Sequence, residues 1–150
     1  MFTSPAFQAN LGSTQTLAGN NTWTKVAFNE ESFDTNSDYD NSSNYRFTPT
    51  TSGKYFVYSN VKIEASGVNA NGFSMVAIYF NGSRIGSSVI DVRDSSSNGG
   101  KQFNVPIQSV INFNGSSDYV EVYGRQESGG SINTNVATIT RMYFFAYKLN

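Results

Sequence analysis

Two carboxylate pairs are the first places to look for chemistry: Asp91 with Asp94, and Asp118 with Glu121. Glycoside hydrolysis runs on two such groups facing each other across a cleft, about 5 to 10 Å apart. A spacing of three along an extended chain turns the two side chains to opposite faces, so neither pair is preorganised for that reaction. The chain contains no His and no Cys. Those absences remove the usual general base, the serine-triad base, the thiolate nucleophile and the commonest metal ligand together. They also leave no disulfide to form.

The acidic segment 30–44, with Glu30, Glu31, Asp34, Asp38 and Asp40, offers the oxygen ligands that calcium takes. It lacks the regular carboxylate spacing and turn glycine of a calcium loop, so a solvated loop is the expectation. The Gly-rich run 95–101, SSSNGGK, lacks the strand–loop–helix setting of a phosphate cradle. The residues therefore predict a protein that is not an enzyme and carries no cofactor or metal.

Charge excludes further classes. Of 150 residues only 14% are charged, and the formal net charge is -1, so no long-range field draws in nucleic acid or anionic lipid. The longest apolar run, Met142 to Tyr147, is far too short to span a bilayer as a helix. The start, MFTSPAFQAN, has neither a basic stretch nor a long apolar run, so no signal peptide is expected. A single domain, 1–150, with a short arm at 1–5, is the prediction for this length.

No stretch keeps a helical period over ten residues. Instead, short apolar or alternating runs lie between Gly, Asn and Ser clusters: 6–11, 23–29, 45–48, 53–65, 73–80, 84–92, 103–113, 118–126 and 137–150. Asn81-Gly82 is the sharpest hairpin signal, and Asn114-Gly115 is a second turn. Eight to ten strands of this kind predict an all-β antiparallel sandwich or jelly roll. Two strands stand out. Tyr55 to Tyr58 and the closing Met142 to Tyr147 are apolar without a polar break, the pattern of strands covered on both faces. Side by side, their outer faces would form one aromatic patch of the kind that meets a copy of itself or a partner.

Phe28, Asp34, Tyr39, Phe47 and the Gly53-Lys54-Tyr55 triplet follow in the order of a known signature. On these residues, and on the opening AFQANLG and closing MYFFAYKLN, the sequence resembles the globular-head domain of complement component 1q, one of the tumour necrosis factor-like jelly rolls. It departs from the pattern in a gap one residue longer between Tyr39 and Phe47, in Val57 where an aromatic is usual, and in the missing Cys before the triplet. The resemblance implies a jelly roll of about ten strands, assembled as a homotrimer, with the first and last strands adjacent in an inner sheet. It implies aromatic side chains at the three-fold axis, a role that falls on Tyr55 or Val57 with one set of Tyr143, Phe145 and Tyr147. Periodicity alone leaves open which alternating set faces the core.

A composition rich in Asn, Ser and Thr, without Cys or collagen-like triplets, resembles modules of bacteriophage and bacterial surface proteins. That resemblance implies a virion-surface protein, a capsid decoration or cement protein whose arm, Met1, Phe2, Thr3, Ser4 and Pro5, contacts the shell. The competing expectation is a fibre-tip module that binds a host receptor or glycan through the loops 93–101 and 127–135. Its partners would be a capsid or fibre protein or a host-surface ligand, with no nucleic acid and no membrane.

Overall fold

The computed structural model describes residues 4–19, 21–65, 73–91, 101–127, 132–134 and 142–149. Among them run thirteen strands and no helix: β1 Ala6–Asn10, β2 Gln15–Leu17, β3 Thr24–Lys25, β4 Glu30–Asp34, β5 Tyr39–Asp40, β6 Arg46–Phe47, β7 Gly53–Ala65, β8 Phe73–Phe80, β9 Ser83–Asp91, β10 Lys101–Phe113, β11 Val120–Gln126, β12 Ile132–Thr134 and β13 Tyr143–Lys148. They form a sandwich of two antiparallel sheets. One runs β2-β12-β7-β13-β1-β4, with β10 on the free side of β7; the other runs β5-β6-β11-β8-β9, with β3 beside β11.

The first and last strands pair as expected, Phe7 opposite Ala146 and Gln8 opposite Phe145. The two strands read as doubly apolar are neighbours too, with β13 lying along β7 from Tyr143↔Asn60 to Lys148↔Tyr55. The core fills the gap between the sheets. Phe7 of the first sheet stacks on Tyr39 and Phe47 of the second at 4.6 and 4.4 Å, and meets Phe144 edge-on at 4.9 Å. Such rings bury large apolar areas and hold a fixed offset or edge geometry, which is how a chain with 15% aromatics closes a small core.

The residues that carried the family resemblance are the builders of this core. Tyr39 donates its hydroxyl hydrogen bond to the Phe28 carbonyl at 2.9 Å, and burial pushes its ionisation well above the usual tyrosine range. Phe47 and Tyr55 meet edge-on at 5.7 Å. Asp34 turns inward to accept from the Tyr39 amide at 2.7 Å. The signature therefore specifies how the sheets are stapled together.

Several expectations need correcting. The segment 30–44 is not all loop: β4 pairs with β1 across a bulge, and β5 follows. The segment 127–135 contains β12, which pairs with β2 and β7. Of the stretch 23–29, only Thr24–Lys25 joins a ladder. These pieces are short and polar, so they lack the alternation by which strands are recognised. Asn81-Gly82 does close a hairpin, with φ of 51° and 78° joining β8 to β9. Asn114-Gly115 instead leads from one sheet to the other. The Asn114 side-chain oxygen caps the amides of Ser116, Ser117 and Asp118, and Gly115, at φ 76°, lies so close to the Ser52 backbone that a side chain would clash. The stretch 45–58 likewise divides: β6 belongs to one sheet and β7 to the other.

Candidate functional site: two outward faces

A strand's successive side chains alternate between the two sides of its sheet, so each sheet offers one face to the core and one outward. In β7 the inward set is Tyr55, Val57, Ser59, Val61 and Ile63, all 0% exposed. Tyr55 lies against Phe47 and Phe113, and its hydroxyl donates to the Thr51 carbonyl at 2.8 Å; burial pushes its ionisation up to about 12. The assignment of Tyr55 and Val57 to an intersubunit axis is therefore overturned: both are sealed inside their own sandwich. The side chains that β7 turns outward are Phe56 and Tyr58.

These two join Tyr143, Phe145 and Tyr147, which β13 carries on the same outward face. The rings form one layer. Tyr58 stacks on Phe145 at 5.2 Å and on Tyr143 at 5.8 Å, while Phe56 meets Tyr147 at 5.5 Å and Phe145 at 6.2 Å. The ladders extend the layer sideways, because Val110 of β10 lies opposite Phe56, and Phe33 of β4 lies opposite Gln8, itself opposite Phe145. Tyr147, Phe33 and Val110 are 43%, 47% and 56% exposed. Gln8 interrupts the row between Phe145 and Phe33, but an outward face carrying five touching rings is uncommon on a chain that works alone.

The second sheet presents a different face. Trp23, Tyr79 and Tyr123 form a ring cluster, Tyr79 being 4.2 Å from Tyr123 and 6.1 Å from Trp23. Cations are threaded through it: Arg84 and Arg125 lie over Trp23 at 5.1 and 5.7 Å, Lys25 over Tyr123 at 5.9 Å, and Arg46 over Tyr119 at 4.5 Å. Glu121, between them, is only 4% exposed. Its carboxylate holds the Lys25 ammonium at 2.5 Å and accepts from the Tyr123 hydroxyl at 3.3 Å. Burial first, and the Glu121 charge second, push the Tyr123 hydroxyl up to about 12. Ala77, opposite Tyr123 in the ladder and fully buried, lies beneath this layer.

The other acids serve the loops. Asp40 accepts from the amides of Ser42, Ser43 and Asn44 and from the Asn44 side chain at 2.7 Å, and those backbone donors hold its carboxyl well below the ordinary range. Asp38 accepts from the amide and hydroxyl of Thr50 through one oxygen; its other oxygen is buried without a partner, and desolvation raises its pKa. Asp118 caps Asn114 and Asn81, while Glu121 is locked to Lys25, so that carboxylate pair is divided between a turn and an ion pair. Asp94, the loop 93–100, most of 127–135, and Met1, Phe2 and Thr3 lie outside the described residues. Of the arm, Ser4 donates to the Lys148 carbonyl at 3.1 Å, and the Pro5 carbonyl accepts from the Lys148 amide at 2.9 Å.

The described residues form an all-β sandwich of two antiparallel sheets with the first and last strands paired inside one of them, a jelly-roll-like fold. The solved structures it is similar to include tumour necrosis factor-family domains. Over 98% of this chain it superposes on the Eiger TNF from S. frugiperda, covering 92% of that chain with a TM-score of 0.65 at 8% identity. It superposes equally on murine APRIL crystallised at pH 5.0, covering 100% of that chain with a TM-score of 0.65 at 11% identity. At such identities the likeness is one of fold. No family model and no curated protein matches the sequence.

Proposed function

We propose that this chain is a non-enzymatic structural and binding knob that assembles as a homotrimer, three copies closing their β7–β13 faces around a common axis. The observation that carries the reading is the unbroken layer of five rings on that face, widened by Phe33 and Val110. Burying such a layer against copies of itself supplies the apolar area that holds an obligate assembly together. The sheet order, with β13 central between β7 and β1, presents the layer at the middle of the sheet.

The knob's proposed place is a virion surface, as a capsid decoration protein gripping the shell through its amino-terminal arm. That placement rests on composition: abundant Asn, Ser and Thr, no Cys and little charge. Trimerisation multiplies three weak arm contacts into one firm attachment. The alternative, a tip module that binds a host-surface ligand, is favoured by the aromatic and cationic face of the second sheet.

Sedimentation equilibrium tests the assembly: a species of three times the 16.4 kDa chain mass is expected, and a monomer at micromolar concentration refutes it. Electron imaging of native particles tests the placement, with density at three-fold positions of the shell expected. Deleting Met1–Thr3, which spares the Ser4 and Pro5 hydrogen bonds, is expected to empty those positions while the trimer persists; full occupancy would overturn the arm's role.

A further inference from the structure

The rings and cations of the second sheet are not needed for the core, which lies on its other side. We propose that this face is a binding platform for a carboxylated polysaccharide, a glycan chain carrying uronic-acid sugars, with Arg84 as the anion anchor and Trp23, Tyr79 and Tyr123 as the surface on which the sugar rings lie.

Charge decides the ligand class. Lys25 is taken by Glu121, and Arg125 by Glu127 at 2.7 Å. Arg46 lies opposite Asp40 in the β5–β6 ladder, but that carboxylate is already held by the donors of its own loop. Arg84 is exposed, and among the described residues no carboxylate lies within ion-pair distance of it. Its guanidinium rests over the Trp23 ring, which fixes its plane while leaving an N–H edge open for a carboxylate fork.

The spacing decides against a dense polyanion. From β6 to β9 the face spans four strands, about 14 Å across, with Arg46, opposite the Asp40 carboxylate, and the unpaired Arg84 on the two outer strands. Glu121, paired with Lys25 and only 4% exposed, stands between them in the ladder, so the face offers no continuous positive track for the evenly spaced phosphates of a nucleic acid. A chain with one carboxylate in every few sugars meets that pattern without conflict. Half-buried Trp and Tyr rings give large apolar contact at small entropic cost, and their polar edges bond hydroxyls. Every residue of the platform comes from one chain, and the face belongs to the sheet opposite the β7–β13 layer, so it is complete whether or not copies associate.

Affinity electrophoresis with polygalacturonate, with dextran as the neutral polymer and a single-stranded oligonucleotide as the dense polyanion, tests the proposal. Polygalacturonate is expected to retard the protein, less so as salt rises, and the other two are not. Arg84→Gln, an exposed substitution that spares the core, is expected to weaken retardation about tenfold, and Trp23→Leu to weaken it in either background. Phe145→Glu, which attacks the other face, is expected to leave each chain's binding in place, so loss of assembly and loss of the platform are told apart. No retardation by polygalacturonate, equal retardation of Arg84→Gln, or tighter capture by the oligonucleotide would each overturn it.

Discussion

The two outward faces of this sandwich are both aromatic, and they are built for opposite ends. On the β7–β13 face, Phe56, Tyr58, Tyr143, Phe145 and Tyr147 pack ring against ring beside the uncharged Gln8, Asn60 and Gln108, and none of the five has a cation over it. On the β11–β8 face every ring has a cation over it or beside it, and a buried glutamate sits between them. The first surface gains free energy by leaving water and suits a permanent contact; the second keeps its guanidinium groups hydrated and suits a reversible, polar ligand. Aromatic content alone does not separate the two. The charges between the rings do.

Breaking the first face should give the largest effect. Phe145→Glu puts a carboxylate at the middle of the ring layer, and sedimentation should report conversion to monomer with the fold intact by circular dichroism. Its control is Val57→Ala, two residues of β7 away from Tyr55 and on the core side. That change should cost about 2 kcal/mol of unfolding free energy through the cavity it leaves, while the assembled mass stays unchanged. A reversal of these outcomes would mean that the inward and outward sets have been exchanged.

The second face is sharpened by Glu121→Gln. It removes the charge that holds Lys25 and should lower stability by about 1 to 2 kcal/mol in urea denaturation, without altering association. The smallest effect expected is at Asp40. Its folded pKa is depressed, so its contribution is fully present above the unfolded value near 3.9 and is lost as pH falls toward and through the lower folded value. Partly exposed and screened, it should contribute about 1 kcal/mol. Asp40→Ala should therefore destabilise the protein at neutral pH and approach wild type in strong acid, as read from melting temperatures across that range.

How much of this was legible in the sequence varies with how local the signal is. The long strands are local: 53–65, 73–80 and 103–113 are apolar runs bounded by turns, and Asn81-Gly82 marks its hairpin. The pairing of β1 with β13 came with the resemblance. The sidedness of β7 did not, because Tyr55 to Tyr58 is apolar at every position, and the choice is made by Phe47 and Phe113, distant in sequence, which receive Tyr55. The sequence points to the loops 93–101 and 127–135 as ligand contacts, not to the sheet between them. Its aromatic and cationic face is assembled from residues 23–25, 46, 79, 84 and 119–125, five separated pieces that no local pattern joins. Alternation in 118–126 sets Tyr119 on the face opposite Val120 and Val122; what alternation cannot supply is which other strands flank it.

The hydrogen bonds linking Ser4 and Pro5 to Lys148 put the two tails of the described chain side by side at one pole of the sandwich. A linker of a few residues should join them without strain, and the β8–β9 hairpin tip at Asn81-Gly82 would then serve as the opening for a circularly permuted form. By the same geometry, a peptide or fluorophore grafted at either tail emerges at the same pole, so one graft reports on the orientation of the whole knob against whatever surface holds it.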